Sequence, residues 1–127
     1  MKRRKPPDGA AQHARVRRPW LAPDWHRPEP AKKLPPGAVV HFGPDYHGDL
    51  PIWGIDWYNP PLSRDLLKLL AAWQDQFDDH FDAFGGWDSP EVEDAWLREG
   101  RSLLRLVRRE LGSSVTVEAD WPVGTDG

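Results

Sequence analysis

The chain has 127 residues, of which 39% are hydrophobic, and a formal net charge of −3, which suits one modest core and leaves little room for a second domain. It contains no Cys, so disulfides, thiolate metal sites and thiol nucleophiles are excluded. The charge is divided: residues 1–33 hold ten Lys/Arg against three Asp/Glu, whereas residues 34–127 hold seven against seventeen, which makes a basic arm on an acidic body.

Residues 1–36 hold eight of the fourteen prolines and no periodic apolar pattern, so an extended or disordered arm is expected. Met1-Lys2-Arg3-Arg4-Lys5 has the charge of a secretion signal, but Pro6-Pro7-Asp8-Gly9 stands where an apolar stretch is required. No run approaches the roughly 20 apolar residues that span a bilayer, and the expectation is a soluble, cytoplasmic protein with no membrane partner. From Pro19 to Pro30, Trp20 and Trp25 are interleaved with prolines. Their rings either pack on the protein's own body or anchor a partner along a polyproline-like segment.

Ordered structure is expected from about Ala38, in a single domain over 37–122 with a flexible tail at 123–127. Val39-Val40-His41-Phe42 reads as a strand ended by Gly43-Pro44-Asp45. Ile52 to Tyr58 alternates, with Trp53, Ile55 and Trp57 on the inward face. A first helix is predicted from Ser63, as N-cap, to Phe84, with Leu62, Leu66, Leu69, Leu70, Trp73, Phe77, Phe81 and Phe84 on one stripe and Gly85 ending it. Ser89 as N-cap and Pro90 at the first position open a second helix that Gly112 stops. Its apolar side is wide, from Val92 through Ala95, Trp96, Gly100 and Leu103 to Leu111. Val115, Val117, Ala119 and Trp121 alternate along a last strand. The order β-β-α-α-β predicts an α+β fold, a three-stranded antiparallel or mixed sheet packed against a two-helix hairpin.

Four groups of residues are candidates for function. Asp75, Asp78, Asp79 and Asp82 crowd the C-terminal turns of the first helix, the negative end of its dipole, where acids are unfavourable by roughly 0.3–1 kcal/mol each. With Trp87 and the arm pair Trp20 and Trp25, they are the candidate surface for a protein partner that is itself basic. His80 lies within the apolar stripe and is expected to be packed and hydrogen-bonded. Lys2, Arg3, Arg4, Lys5, Arg15, Arg17 and Arg18 are the candidate phosphate contacts of an alternative reading, nucleic-acid association, with Arg98, Arg101, Arg105 and Arg108 as a basic face on the second helix. His41, Asp45, His47 and Asp49 have suitable donors for zinc, iron or manganese and make the third reading, a small metal-dependent enzyme. No cofactor is expected, and no Gly-x-Ser-x-Gly, phosphate-binding glycine loop or His-Glu-x-x-His is present.

From Trp73 to Val117 the chain resembles a family of small uncharacterised actinobacterial proteins. The resemblance is carried by Trp73 and Phe77, Ser89-Pro90-Glu91, Glu99-Gly100-Arg101, and Arg109-Glu110-Leu111-Gly112 leading into Val115-Thr116-Val117. It transfers no catalytic or binding residue. Small acidic α+β proteins of this kind are similar to immunity proteins, which neutralise toxins by covering an active site. The leading expectation is accordingly a non-catalytic protein-binding module, an immunity-like inhibitor.

Overall fold

The computed structural model describes residues 18–45 and 49–121. Strands β1 (Val39–Phe42) and β2 (Ile52–Trp53) precede helix α1 (Arg64–His80). A short hairpin, β3 (Phe81–Asp82) and β4 (Gly86–Trp87), leads into helix α2 (Pro90–Leu111) and strand β5 (Thr116–Ala119). β1 is central in a three-stranded sheet ordered β2-β1-β5. It pairs antiparallel with β2, His41 opposite Trp53, and parallel with β5, Val40 opposite Val117. The expected α+β architecture holds, with a mixed sheet: a parallel neighbour needs a long crossover, and the two helices supply it.

The predicted caps form. The Ser63 hydroxyl accepts from the Leu66 amide and the Ser89 hydroxyl from the Val92 amide. The Gly112 amide, at φ +88, donates to the Arg108 carbonyl to close α2. Ser63 is held further by Glu110, whose carboxylate accepts from its amide at 2.6 Å and its hydroxyl at 2.7 Å.

The core is an aromatic stack between the helices. Trp73 of α1 and Trp96 of α2 lie face to face, centroids 4.0 Å apart and 5° from parallel. Each indole N–H donates to the other residue's backbone carbonyl, at 2.9 and 3.0 Å. Phe42 of β1 stacks on Trp73 at 5.2 Å, and Trp121 meets both Phe42 and Trp73 edge-on. Val40, Phe42, Ile52 and Val117 bury the inner face of the sheet beneath the helices.

Several elements differ from the sequence reading. α1 ends at His80, not Phe84: Phe81 is extended, at φ −113, and turns into β3, where it pairs with Trp87. The intervening Ala83-Phe84-Gly85 is a three-residue hairpin loop, and Gly86, at φ +78, takes the left-handed position such loops require. Gly85 therefore does not terminate the helix. Phe84 is fully exposed and Leu69 is also exposed, so neither belongs to the buried stripe. β2 stops after two residues because Gly54, at φ +95, bends the chain, and Trp57 faces solvent. Ala95 is exposed on α2, which narrows its buried side to Trp96, Gly100, Leu103, Leu104 and Val107.

Ordered packing also begins before Ala38. Pro19–Leu21 form a 3-10 turn, and Trp20 is fully buried in the core. Arg64 donates to the Trp20 carbonyl, and Arg27 donates to Asn59 Oδ1 and the Pro60 and Leu62 carbonyls. Asn59 completes the tie through the Glu29 carbonyl at 2.9 Å.

Gly100 is the point of closest approach. A Cβ there would meet Trp73 Cζ2 at 2.6 Å and Trp121 Cζ2 at 3.1 Å. Ala is the better helix former by about 1 kcal/mol, but overpacking a filled core costs about 1–3 kcal/mol. Gly100→Ala is therefore expected to lower the unfolding free energy in urea by up to about 2 kcal/mol. A stabilised variant would mean that the indoles have room to move apart.

Candidate functional site

The aromatic stack reaches the surface at one end of the molecule. Trp87 of β4 meets Trp96 at 4.9 Å, Phe81 at 5.4 Å and Phe77 at 5.9 Å. These rings, with Pro44, Leu97 and Trp121, line an open groove of about 660 Å³, and Glu93 and Asp120 are its acidic lining residues. Glu93, exposed one turn into α2, has no side-chain partner among the described residues. Phe84 stands at the tip of the hairpin with its amide fixed by the Asp82 carboxylate at 2.9 Å, an Asx turn.

The predicted acids occupy different environments. Asp75 accepts two bonds from Arg18, at 3.0 and 3.3 Å, with Asp75 half exposed and Arg18 nearly buried. Asp78 accepts from Gln74 Nε2 at 3.2 Å. Asp79 and Asp82 are exposed beside the hairpin, and Asp88 joins them. His80 is not packed in the apolar stripe: it is half exposed, with Nδ1 2.7 Å from the Asp88 carboxylate, and this contact, together with the Asp88 amide on the His80 carbonyl, ties the two ends of the hairpin.

Trp87 is half buried and forms one wall of the groove. Trp20, by contrast, is wholly internal and is not a surface anchor. Trp25 is half buried, with the Arg27 and Arg64 guanidinium groups 5.4 and 6.0 Å from its ring.

The basic and metal candidates are drawn elsewhere. Lys2, Arg3, Arg4, Lys5, Arg15 and Arg17 lie outside the described residues. Arg18 is committed inward, its Nε donating to the Asp49 carbonyl at 2.7 Å besides the bonds to Asp75. On α2, Arg98 pairs with Asp94 at 3.3 Å, as the i, i+4 spacing predicts, and Arg108 donates to the Val117 carbonyl. His41 Nδ1 faces the Asp120 carboxylate at 3.2 Å. The Asp45 backbone is held at both its amide and its carbonyl by the Gln74 side chain. His47 lies outside the described residues, among which no group of three or more His, Cys, Asp or Glu could hold a metal ion.

Gln74 is the residue that sequence reasoning missed most completely. It is fully buried, and its amide substitutes for strand pairing along the loop after β1, fixing Pro44 at the rim of the groove. A glutamine on the flank of an apolar stripe gives no sign of that role. Phe84 was legible in principle, since Asp82-Ala83-Phe84-Gly85-Gly86 carries the glycines of a short hairpin.

A family model described as Serratia CdiI immunity protein-like matches residues 40–119, from β1 to β5. The chain belongs to that family. A search of the curated proteins finds no match. The family match extends well beyond the segment Trp73 to Val117 and bears out the expected class: a non-catalytic immunity-like inhibitor that binds a partner protein. It carries no sign of actinobacterial origin. Among the described residues, no helix of this family member is long and apolar enough to cross a membrane.

The inward commitment of Arg18 has a measurable consequence. Arg18→Met removes charge-assisted bonds worth about 1–3 kcal/mol when buried, reduced here because Asp75 is half exposed to solvent. The expected loss is about 1–2 kcal/mol of stability in urea, with no change in retention on DNA. Unchanged stability with weakened DNA retention would instead assign Arg18 to phosphate contact.

Proposed function

We propose that this protein is a cytoplasmic immunity protein that neutralises a toxin by covering it with the acidic end of the molecule, where α1 runs into the β3–β4 hairpin. The observation that carries the reading is Phe84, fully exposed at the hairpin tip and flanked in sequence by Asp79, Asp82 and Asp88. A large ring held in water by a preorganised turn suits a partner's pocket, and aromatic anchors of this kind dominate interface energetics. The acidic body, seven Lys/Arg against seventeen Asp/Glu over residues 34–127, would accelerate encounter with a basic toxin surface.

Asp78, Asp79, Asp82 and Trp87 are the proposed contact residues, joined by Phe84. Asp75 contributes less, because Arg18 already offsets its charge. Trp25 is assigned no contact.

Growth competition in the source cell tests this. Deleting the gene should leave cells sensitive to toxin-producing siblings, and the wild-type gene should restore protection. The combined variant Asp79→Lys, Phe84→Ala should fail to protect while its melting temperature stays within about 3 °C of wild type, since exposed positions away from caps contribute little to stability. Phe84→Ala alone should weaken toxin binding by roughly thirty-fold, the scale of an interface hot spot. A deletion strain as resistant as its parent would dismiss the immunity role, and full protection by the combined variant would dismiss this surface.

A further inference from the structure

The groove beside the hairpin has a composition that an apolar slot would not need. Its walls are indole and phenyl rings, Trp87, Trp121 and Phe81, while Glu93 and Asp120 are the acidic residues of its lining. Aromatic faces carry negative electrostatic potential, and a carboxylate adds full charge, so ring faces and acids together favour a cation. Glu93 has no side-chain partner among the described residues, and Asp120 meets His41 at 3.2 Å.

We propose that this groove receives an arginine side chain of the toxin. A guanidinium is planar and weakly hydrated, stacks on indole and bonds carboxylates through its fork of N–H donors. A volume of about 660 Å³ is ample for one such side chain with part of the loop that carries it. The Trp87 wall belongs to the hairpin that presents Phe84, so one partner surface could engage both at once. Trp96, at the base, is fixed by its stack on Trp73, so that wall is set before any ligand arrives.

The identity of the partner rests on the immunity reading, whereas uptake of the cation is measured on the isolated chain, so each can fail without the other. The purified protein is titrated with N-acetyl-arginine methylamide at millimolar concentrations while its tryptophan indole N–H signals are followed by NMR, with Trp87→Phe and Trp121→Phe supplying the two assignments. Saturable shifts are expected at Trp87 and Trp121. The neutral isostere N-acetyl-citrulline methylamide should bind about five-fold more weakly or worse, and so should the arginine probe to Glu93→Gln or to Trp87→Leu, which keeps apolar bulk but removes the ring face. No saturable shift, or citrulline binding as well as arginine, would overturn the proposal. So would tighter uptake of N-acetyl-leucine methylamide, which would make the groove a plain apolar slot. If arginine binds as described while the deletion strain proves resistant, the cation site stands and the toxin as its source does not.

Discussion

Two indoles that bond to each other's backbone set the geometry of this molecule. A buried tryptophan N–H without an acceptor is costly, and Trp73 and Trp96 avoid that cost reciprocally, each donating to the other's carbonyl. A carbonyl has two lone pairs, so the contact adds to the helix ladder without replacing it. Because the bonds run both ways while the rings lie flat at 4.0 Å, they fix the separation of α1 and α2 and also their rotation and axial register. Gly100, one turn beyond Trp96, is the clearance that the arrangement demands. Phe42 then seats the central strand on the outer face of Trp73, so the sheet is positioned by the same pair.

The surface end of the stack inherits this rigidity. Trp96 is core, Trp87 and Phe81 are half buried, and their ring contacts make one aromatic series from the interior to the wall of the groove. A binding wall continuous with a packed core loses little freedom when a partner docks, which is the usual source of high affinity from a small area. The loop carrying Pro44 is held by the buried Gln74 amide in the same spirit. Most of the end that faces the proposed partner is thus preorganised, and the hairpin is closed at its base by His80 and Asp88.

Helix caps were read correctly where the signal is local. Ser63, Ser89-Pro90 and Gly112 act through the backbone within one helical turn, and each marks its helix end as read. β1 was legible as an apolar run between turn residues. The parallel partner of β1 was not, because period and turn chemistry do not encode which strand lies alongside which. The end of α1 misled for a definite reason: Phe77 and Phe81 are four apart, which fits a continuing helix, while their actual stacking at 4.8 Å is completed by Trp87 across the hairpin. Tertiary pairing took Phe81 out of the helix and stranded Phe84. Trp20 lay in a proline-rich segment with no period to betray a buried face, and only the long-range bonds from Arg64 and Arg27 explain its place. Of the candidate surface, the acids at the end of α1 were legible as a departure from helix-dipole preference; the groove was not, since Glu93, Asp120 and Trp87 come from three separate elements.

Those acids sharpen the relation between stability and function. Carboxylates in the last turns of a helix are unfavourable by some tenths of a kcal/mol each, and the fold compensates unevenly. Arg18 offsets Asp75, and the Gln74 amide bonds Asp78. Asp82 is employed in orienting the hairpin backbone, which gives it a conformational role but leaves its charge outward. A cation thus meets Asp75 where α1 faces the N-terminal segment, and the Phe84 amide meets Asp82 at the hairpin. If solubility alone were the reason for the acids, their sum would matter and their position would not. Instead the exposed acids Asp79 and Asp82 lie close in sequence to the exposed ring, where they can both draw in a basic surface and discriminate against an acidic one.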